Sequence, residues 1–151
     1  MSTEADRLPF VDEHSIEIEA GAEATWEAAC RAVDGASTPS TAFARLLGCA
    51  DVEVSGPRPL AVGSTFPGFR VKAAERPRKL GLGGSHRFSR YALILRVDSL
   101  GEGRSRLRAE TRAEFPGLRG RAYRALVIGT RGHVVLLRRM LGGIKRRAER
   151  S

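Results

Sequence analysis

The three histidines are the side chains best suited to acid–base chemistry or metal binding, and they lie far apart in the sequence. His14, His86 and His133 show no metal-ligand spacing, and no HExxH motif occurs. No local arrangement of serine, histidine and aspartate suggests a catalytic triad, although triads also assemble across a fold. The sequence therefore predicts neither a metal nor a cofactor, and it leaves open whether the chain is an enzyme.

His133 is the strongest candidate because it lies in the middle of an apolar stripe near the C-terminus. A polar ring in such a place must find a hydrogen-bond partner. One interpretation makes it a general acid/base or a hydrogen-bond partner for a ligand. The other makes it a structural core histidine, bonded to a backbone carbonyl or to a neighbour such as Thr111.

The cysteines and the N-terminus bear on the compartment. Cys30 and Cys49 belong to no CxxC motif or Cys/His cluster, which predicts two reduced thiols. The first ten residues, "MSTEADRLPF", are acidic and contain no apolar signal segment, so we expect a cytoplasmic protein. The "GLGG" at residues 81–84 lacks the spacing of a phosphate-binding loop and predicts a hairpin turn instead.

A long amphipathic helix is predicted to carry His133. At about 100° per residue, residues 117–149 form a helix roughly 50 Å long with one broad apolar stripe. The stripe consists of Leu118, Ala122, Leu126, Gly129, His133, Leu136, Leu137, Met140 and Ile144. Arginines occupy the opposite arc, where Ile128 and Val135 also lie. These two apolar residues could seat a second subunit or insert into a layer of lipid headgroups.

Alternating patterns before this helix predict antiparallel strands. In "RLRAETRAEF", residues 106–115, apolar or small side chains alternate with charged ones. Similar alternation occurs in "FVDEHSIEIEA", "FRVKAAE" and "HRFSRYALILRVD", and Gly83 and Gly84 are expected to separate the last two. Two short helices, "GAEATWEAACRAV" and "STAFARLLG", follow the first strand, and Gly48 is a plausible end for the second. Helices on one face of an antiparallel sheet define an α+β fold.

Charge is distributed unevenly along the chain. The net charge is +9, yet residues 1–68 hold 4 basic and 11 acidic side chains, whereas residues 69–151 hold 22 and 6. Such polarity favours an anionic partner, such as a membrane or a nucleic acid. Arginine outnumbers lysine 23 to 3, however, which indicates a compositional bias. Nucleic acid is disfavoured because the basic residues show no recognised motif and little aromatic interleaving.

This element order resembles the START-like, or helix-grip (SRPBCC), superfamily, which includes polyketide cyclases, aromatases and pollen-allergen-type lipid carriers. The segments that carry the resemblance are the first strand into "GAEATWEAA", "GSTFPGFRV", "LGLGGSHRFSRYALILRV" and the terminal helix. The stretch "HRFSRYAL…RLRAETRAEFPG" is similar to an actinobacterial branch of polyketide cyclase/dehydrase type. The likeness covers about residues 11–147, so we expect a flexible tail over residues 1–10 and one domain over residues 11–151.

The resemblance implies a curved antiparallel sheet wrapped around the C-terminal helix, with a cavity between them for an apolar or aromatic small molecule, lipid- or polyketide-like. The candidate ligand-binding residues are Phe69, Tyr91, Thr111, His133 and Met140. One alternative is an enzyme of cyclase, aromatase or dehydratase type that uses the same cavity. Another is an interaction protein that docks its basic helix on an anionic membrane or a partner, and a homodimer is compatible with either.

Overall fold

The computed structural model describes residues 4–35, 45–127 and 132–150, and in these ranges it contains six strands and three α-helices. The strands are β1 (Phe10–Ile18), β2 (Thr65–Phe66), β3 (Phe69–Glu75), β4 (Lys79–Ser85), β5 (Arg90–Gly101) and β6 (Arg104–Glu114). The helices are α1 (Ala22–Gly35), α2 (Gly117–Val127) and α3 (Gly132–Arg150). A 3₁₀ helix, Glu4–Arg7, precedes β1.

The six strands form one antiparallel sheet in the order β1-β6-β5-β4-β3-β2. Strands β5 and β6 make a long hairpin, and its turn contains Gly101 and Gly103 at φ values of 123° and 68°. Glycine adopts this left-handed region without a steric penalty, so the two glycines suit the tight turn between these strands. The predicted α+β class, a curved antiparallel sheet with a C-terminal helix against it, is confirmed.

Helices α1 and α3 cover the inner face of the sheet. Leu95, Leu107 and Ile144 meet there with exposures of 1% or less, and Trp26 of α1 is 5% exposed. Close packing of these side chains supplies most of the stabilising apolar burial. Ser105 of β6 donates a hydrogen bond to the carbonyl of the residue two positions before α1, and it also contacts the Thr25 hydroxyl at 2.7 Å. The start of α1 is therefore fixed to β6 by buried hydrogen bonds.

The outer face of β6 carries the mixed-charge ladder that its alternation predicts. Arg108 forms ion pairs with Asp98 at 2.7 Å and with Glu13 at 3.2 Å, across both neighbouring strands. Glu110 accepts from Arg96 and Arg112, each at 3.1 Å. Cross-strand pairs of opposite charge stabilise a sheet modestly and keep its outer face compatible with water.

The N-terminal residues differ from the expected flexible tail, because the described part is structured from Glu4 onward. The 3₁₀ helix packs on the outer face of β4 and β5. Asp6 lies 3.0 Å from Lys79 and 3.6 Å from Arg96. Under this segment, Ile94 has no exposure although it points away from the inner face. The N-terminal segment therefore packs on the side of the sheet where Ile94 lies.

Within the predicted helix over residues 117–149, the structure describes two helical segments, α2 and α3, and residues 128–131 between them lie outside the described part. Ile128 and Gly129 of the prediction fall in that gap. The expected stripe is correct for Leu137 and Ile144, which are buried, but not for Leu118, Leu126 and Leu136, which are exposed by 82%, 66% and 61%. Apart from Leu136, the predicted stripe therefore matches the buried face of α3 but not that of α2. Val135, expected on the outer side, is 50% exposed.

Helix α2 approaches the sheet through Gly120 and Tyr123. A Cβ at Gly120 would lie 2.6 Å from the carbonyl carbon of Phe115 and 3.0 Å from the carbonyl oxygen of Phe88. Only glycine permits this contact, while the Tyr123 ring stacks on Phe88 with centroids 5.6 Å apart. Packing on one glycine and one aromatic ring leaves the rest of α2 exposed.

Gly83 and Gly84 do not separate two strands as expected, because both lie inside β4. A Cβ at Gly84 would meet the carbonyl oxygen of Gly68 at 2.1 Å and the Tyr91 ring at 2.7 Å. A glycine within a strand often marks such a close approach of other groups. The missing side chain at position 84 thus makes room for the ring of Tyr91.

The second predicted short helix overlaps the described residues only in part. Of the second short helix, Arg45–Leu47 is helical, and Gly48 ends it with a φ of 74°, as expected; residues 40–44 lie outside the described part. Among the described helices, none is both long and apolar enough to cross a bilayer.

We expect Gly84→Ala to destabilise the fold by roughly 2–3 kcal/mol, because a backbone oxygen occupies the position of the new Cβ. Thermal unfolding should show a Tm lowered by roughly 5–10 °C. Gly35→Ala is the matched control, since nothing lies within 4 Å of a Cβ there, and its Tm should change little. Equal Tm values for the two variants would contradict the close approach.

Candidate functional site

The inner face of the sheet aligns several predicted residues in neighbouring rows. Asp12 of β1 lies opposite Thr111 of β6, and Thr111 lies opposite Leu93 of β5. Tyr91 is in the next row along β5, opposite Ala113. Neighbouring strands are about 4.8 Å apart, so the row from Asp12 to Leu93 spans about 10 Å.

Burial along this inner face is uneven, although Leu82 and Ala113, opposite Leu93 and Tyr91, are themselves only 2% and 7% exposed. At the end beside α1, Leu95 and Leu107 have 1% exposure or less, and so does Ile144 of α3. Further along the face, side chains that would complete the core are only partly buried, namely Phe69, Tyr91, Leu93, Thr111 and Met140. The space between sheet and helix is therefore closed at the α1 end and more open at the end where α3 begins.

Aromatic rings line one side of the open end. Phe69 stacks on Phe66 at 5.6 Å and meets the edge of Tyr91 at 5.3 Å between centroids. The Tyr91 hydroxyl donates to the carbonyl of Gly68, and the Cys49 sulfur lies 3.9 Å from it. Burial raises the pKa of Tyr91 above its ordinary value. The phenol therefore stays neutral at physiological pH, and its hydrogen bond orients the ring.

His86 joins this aromatic group without a free ring nitrogen. Its Nδ1 accepts the backbone N–H of Phe88 at 3.1 Å, which leaves the proton of the neutral ring on Nε2, 3.3 Å from the Ser89 hydroxyl. The ring also lies 4.8 Å from that of Tyr123 and 5.5 Å from that of Tyr91. Burial lowers the pKa of His86 below its ordinary 6.5. The folded protein therefore favours the neutral form of the His86 ring.

A pair formed by His133 and Asp12 links α3 to β1. The Nε2 atom of His133 lies 2.6 Å from Oδ2 of Asp12, and the two side chains are 15% and 25% exposed. The same carboxylate oxygen lies 3.3 Å from Nε2 of His14. Such a short distance indicates a hydrogen bond to a charged acceptor. A carboxylate that orients an imidazole is also the arrangement that lets a histidine exchange protons with a substrate.

Two atoms of this pair are left without a partner among the described residues. Nδ1 of His133 and Oδ1 of Asp12 are buried, and neither makes a hydrogen bond. If Nε2 donates its proton to Asp12, the neutral ring presents Nδ1 as an acceptor. Both unpartnered atoms then accept, and the group that would satisfy them is a donor.

Two small cavities lie in the described part of the protein. One of about 230 Å³ lies between β1 and α3 and is lined by His14, Ser15, Ile16, Arg138 and Leu141. Another, of about 110 Å³, includes the N-terminal Leu8 and residues of β4 in its wall. Pockets for drug-sized ligands usually have about 300–1,000 Å³. The larger of these two cavities has His14, which contacts Asp12, in its wall, and it is on the side where α3 lies over β1.

The predicted site residues fall into two groups. Phe69 and Tyr91 contact each other, whereas His133 contacts β1 through Asp12. Thr111 lies in the row between these groups, and Met140 packs against the edge of the core. The expected partners of His133, a backbone carbonyl or Thr111, are replaced by a carboxylate from the far end of the sequence.

Sequence reasoning missed Asp12, His14 and His86. For the first two a signal existed, because alternation along β1 places Asp12 and His14 on the same face as Ile16 and Ile18. The apolar members of that pattern predict the strand, and its polar members mark the site. For His86 no signal existed, since its partners come from a turn and from α2.

Metal and thiol chemistry find little support in the described residues. They contain no group of three histidine, cysteine or acidic side chains placed to hold a metal ion. Both cysteines are free thiols, and burial raises the pKa of Cys30 to about 11. This thiol is therefore protonated near neutral pH and is a poor nucleophile.

Solved structures with a similar fold include norcoclaurine synthase from Thalictrum flavum. One structure of that protein shares 15% sequence identity, covers 91% of this chain and 86% of its own, and has a TM-score of 0.58. A point mutant in complex with a transition state analogue gives 14%, with coverages of 94% and 97% and a TM-score of 0.57. A complex with dopamine and hydroxybenzaldehyde gives 13%, with coverages of 87% and 85% and a TM-score of 0.55.

The chain has the helix-grip fold. At such low identity the likeness establishes the architecture alone. No protein-family model matches the chain, and no curated protein matches it significantly. The narrower likeness to a branch of polyketide cyclase/dehydrase type stays a prediction.

We expect the protein to lose stability as the pH falls below 6.5, in part through His86. Because burial lowers the pKa of His86 in the folded state, the unfolded chain binds more protons between the two pKa values. This contribution is complete above 6.5 and is lost as the pH falls toward the pKa of the folded state. Chemical denaturation of the wild type and of His86→Gln over this range should show a flatter pH dependence for the variant. Parallel pH profiles would contradict the assignment.

Proposed function

We propose that this protein binds an apolar or aromatic small molecule between the inner face of its sheet and α3, at the open end of the core. The observation that carries the proposal is the change in burial along that face. A core built only for stability would close over Leu93 as completely as over Leu95, because each partly exposed apolar side chain forgoes stabilising burial. Here the partly buried side chains are contiguous, and three of them are aromatic or flexible: Phe69, Tyr91 and Met140.

The chemistry of the open end suits a flat, mainly apolar ligand. Aromatic edges and faces of Phe69 and Tyr91 offer stacking contacts, and Met140 adapts its shape to its neighbour. The row from Asp12 to Leu93 is long enough for two fused rings. Norcoclaurine synthase, which shares the fold, has been solved with the aromatic molecules dopamine and hydroxybenzaldehyde, and this supports an aromatic ligand. The proposal requires no reaction, and a lipid- or polyketide-like molecule would meet it.

A second candidate function, docking on an anionic lipid surface, is favoured by the exposed face of α2. Leu118 and Ala122 lie on that face, together with Arg119 and Arg121, and α2 contains no acidic residue. An apolar strip flanked by arginines is typical of helices that lie in the headgroup layer. The charge complements an anionic leaflet, which a cytoplasmic protein, as the sequence predicts, would meet.

The ligand-binding proposal predicts that an added ring at the open end blocks an apolar probe. We expect N-phenyl-1-naphthylamine, excited in its own absorption band, to gain fluorescence with the wild type. Leu93→Trp should weaken this binding at least about 10-fold, because the indole fills the space beside Tyr91.

Val54→Trp is the matched control, since it adds the same side chain at an apolar residue that is 66% exposed elsewhere on the surface. Its probe affinity should equal that of the wild type. Near-ultraviolet circular dichroism should confirm native packing in all three proteins. A wild type that does not bind the probe, or equal affinities for both tryptophan variants, would contradict the proposal.

The docking proposal predicts salt-sensitive binding to vesicles that contain phosphatidylglycerol and none to pure phosphatidylcholine. Leu118→Asp should abolish sedimentation with the anionic vesicles, because it removes an apolar contact and adds a negative charge. Val62→Asp, at a residue 62% exposed, should not. Loss with both variants would show a general charge effect, and a dimer that Leu118→Asp dissociates would show self-association instead.

A further inference from the structure

Two unpartnered acceptor atoms in the His133–Asp12 pair define what a ligand must bring. The carboxylate holds the Nε2–H groups of His133 and His14 on one oxygen, at 2.6 Å and 3.3 Å. Its other oxygen, Oδ1, is buried and unpartnered in the described protein, as is Nδ1 of His133. With the His133 proton on Nε2, both unpartnered atoms are acceptors. Leaving buried polar atoms unsatisfied is costly, and native structures contain few of them.

We propose that His133 selects ligands that carry a hydroxyl, which donates its hydrogen bond to Nδ1 of His133, with Asp12 as the residue that positions the ring. The inference rests on the proposed ligand-binding function and adds a chemical class to it: an aromatic or polycyclic molecule with an O–H group, rather than a plain hydrocarbon or a ligand with acceptors alone. A carbonyl or ether oxygen cannot satisfy either atom, because it has no hydrogen to donate.

The strand register places this polar pair within reach of the aromatic end. Asp12, Thr111 and Leu93 form one row across three strands, and Tyr91 is in the next row along β5. A fused two-ring molecule that packs on Leu93 and passes over Thr111 would bring a substituent close to the edge of β1, where His133 lies over Asp12. Thr111 is partly exposed, as a side chain beneath a ligand would be.

Asp12 determines which nitrogen of His133 accepts. A carboxylate only accepts hydrogen bonds, so it holds the ring proton on Nε2. An amide in its place could donate to Nε2 instead and move the ring proton to Nδ1, which would then repel a hydroxyl hydrogen. His14 shares Oδ2 and keeps the carboxylate engaged, so it supports the same orientation.

Isothermal titration calorimetry with 2-naphthol and 2-methylnaphthalene tests the proposal, because the two probes match in shape and differ in the hydroxyl. A third probe, 2-methoxynaphthalene, keeps the oxygen and lacks the donor. We expect the wild type to bind 2-naphthol about 5-fold more tightly than the other two. His133→Phe should remove this preference while it retains affinity for 2-methylnaphthalene. Asp12→Asn should reduce the preference as well, at an unchanged affinity for 2-methylnaphthalene.

The outcomes separate this inference from the function on which it rests. Equal binding of all three probes by the wild type, or a preference that persists in both variants, overturns the role of His133 while ligand binding stands. If no probe binds the wild type, the proposed function fails and the inference fails with it. Thermal unfolding of each variant shows whether it is folded, and Asp12→Asn, which conserves side-chain size, provides the test if His133→Phe does not fold.

Discussion

The position of α3 over the sheet is the constraint on which the rest of the structure depends. Towards its C-terminus the helix is held by apolar packing, since Leu141, Ile144 and Ala148 have exposures of 3% or less. Near its N-terminus the described contact that attaches it to β1 is polar, between His133 and Asp12. Apolar packing is strong and non-directional, whereas a hydrogen bond from an imidazole to a carboxylate is specific in geometry. The C-terminal part of α3 is therefore held against the sheet by apolar packing, whereas the His133–Asp12 hydrogen bond sets the position of its N-terminal part.

This difference explains why the core opens in one direction. Beside α1, the fully buried hydroxyls of Thr25 and Ser105 link this helix to β6, and the side chains between helix and sheet are closely packed. At the other end, the sheet instead offers an aromatic group supported from behind by glycines. Tyr91 can lie flat against β4 because Gly84 has no side chain, and its hydroxyl is occupied by the carbonyl of Gly68. The wall of the open end is thus rigid although no helix compresses it.

Much of this architecture could be predicted from the sequence because it depends on local periodicity. The alternation in β5 and β6 places Leu93, Leu95 and Leu107 on one face whatever happens elsewhere in the chain. Predictions failed where a distant group decides the outcome. The bulge between Val71 and Ala73 turns Ala73 to the outer face, opposite Gly81. The apolar stripe predicted for the C-terminal helix holds for most of α3 but not for α2, where Leu118 is 82% exposed. The site was predicted in the same uneven way. Sequence patterns identify Tyr91, Thr111 and His133, but the Asp12 carboxylate that binds His133 is 121 residues away in the sequence.

Polar residues on an inner face require a physical explanation, because apolar ones would stabilise the fold more. Asp12, His14 and Thr111 occupy positions whose neighbours along the same strands, Ile16 and Leu107, are apolar. Replacing both partners of a largely buried hydrogen bond by apolar groups of the same shape is often neutral or stabilising. The pair therefore contributes little to stability that an apolar pair could not, and its two unpartnered acceptors lower that contribution further. The stability of the fold does not explain such an arrangement. Recognition of a hydrogen-bond donor on a ligand explains it, because the cost of the two unpartnered acceptors is recovered when the ligand binds.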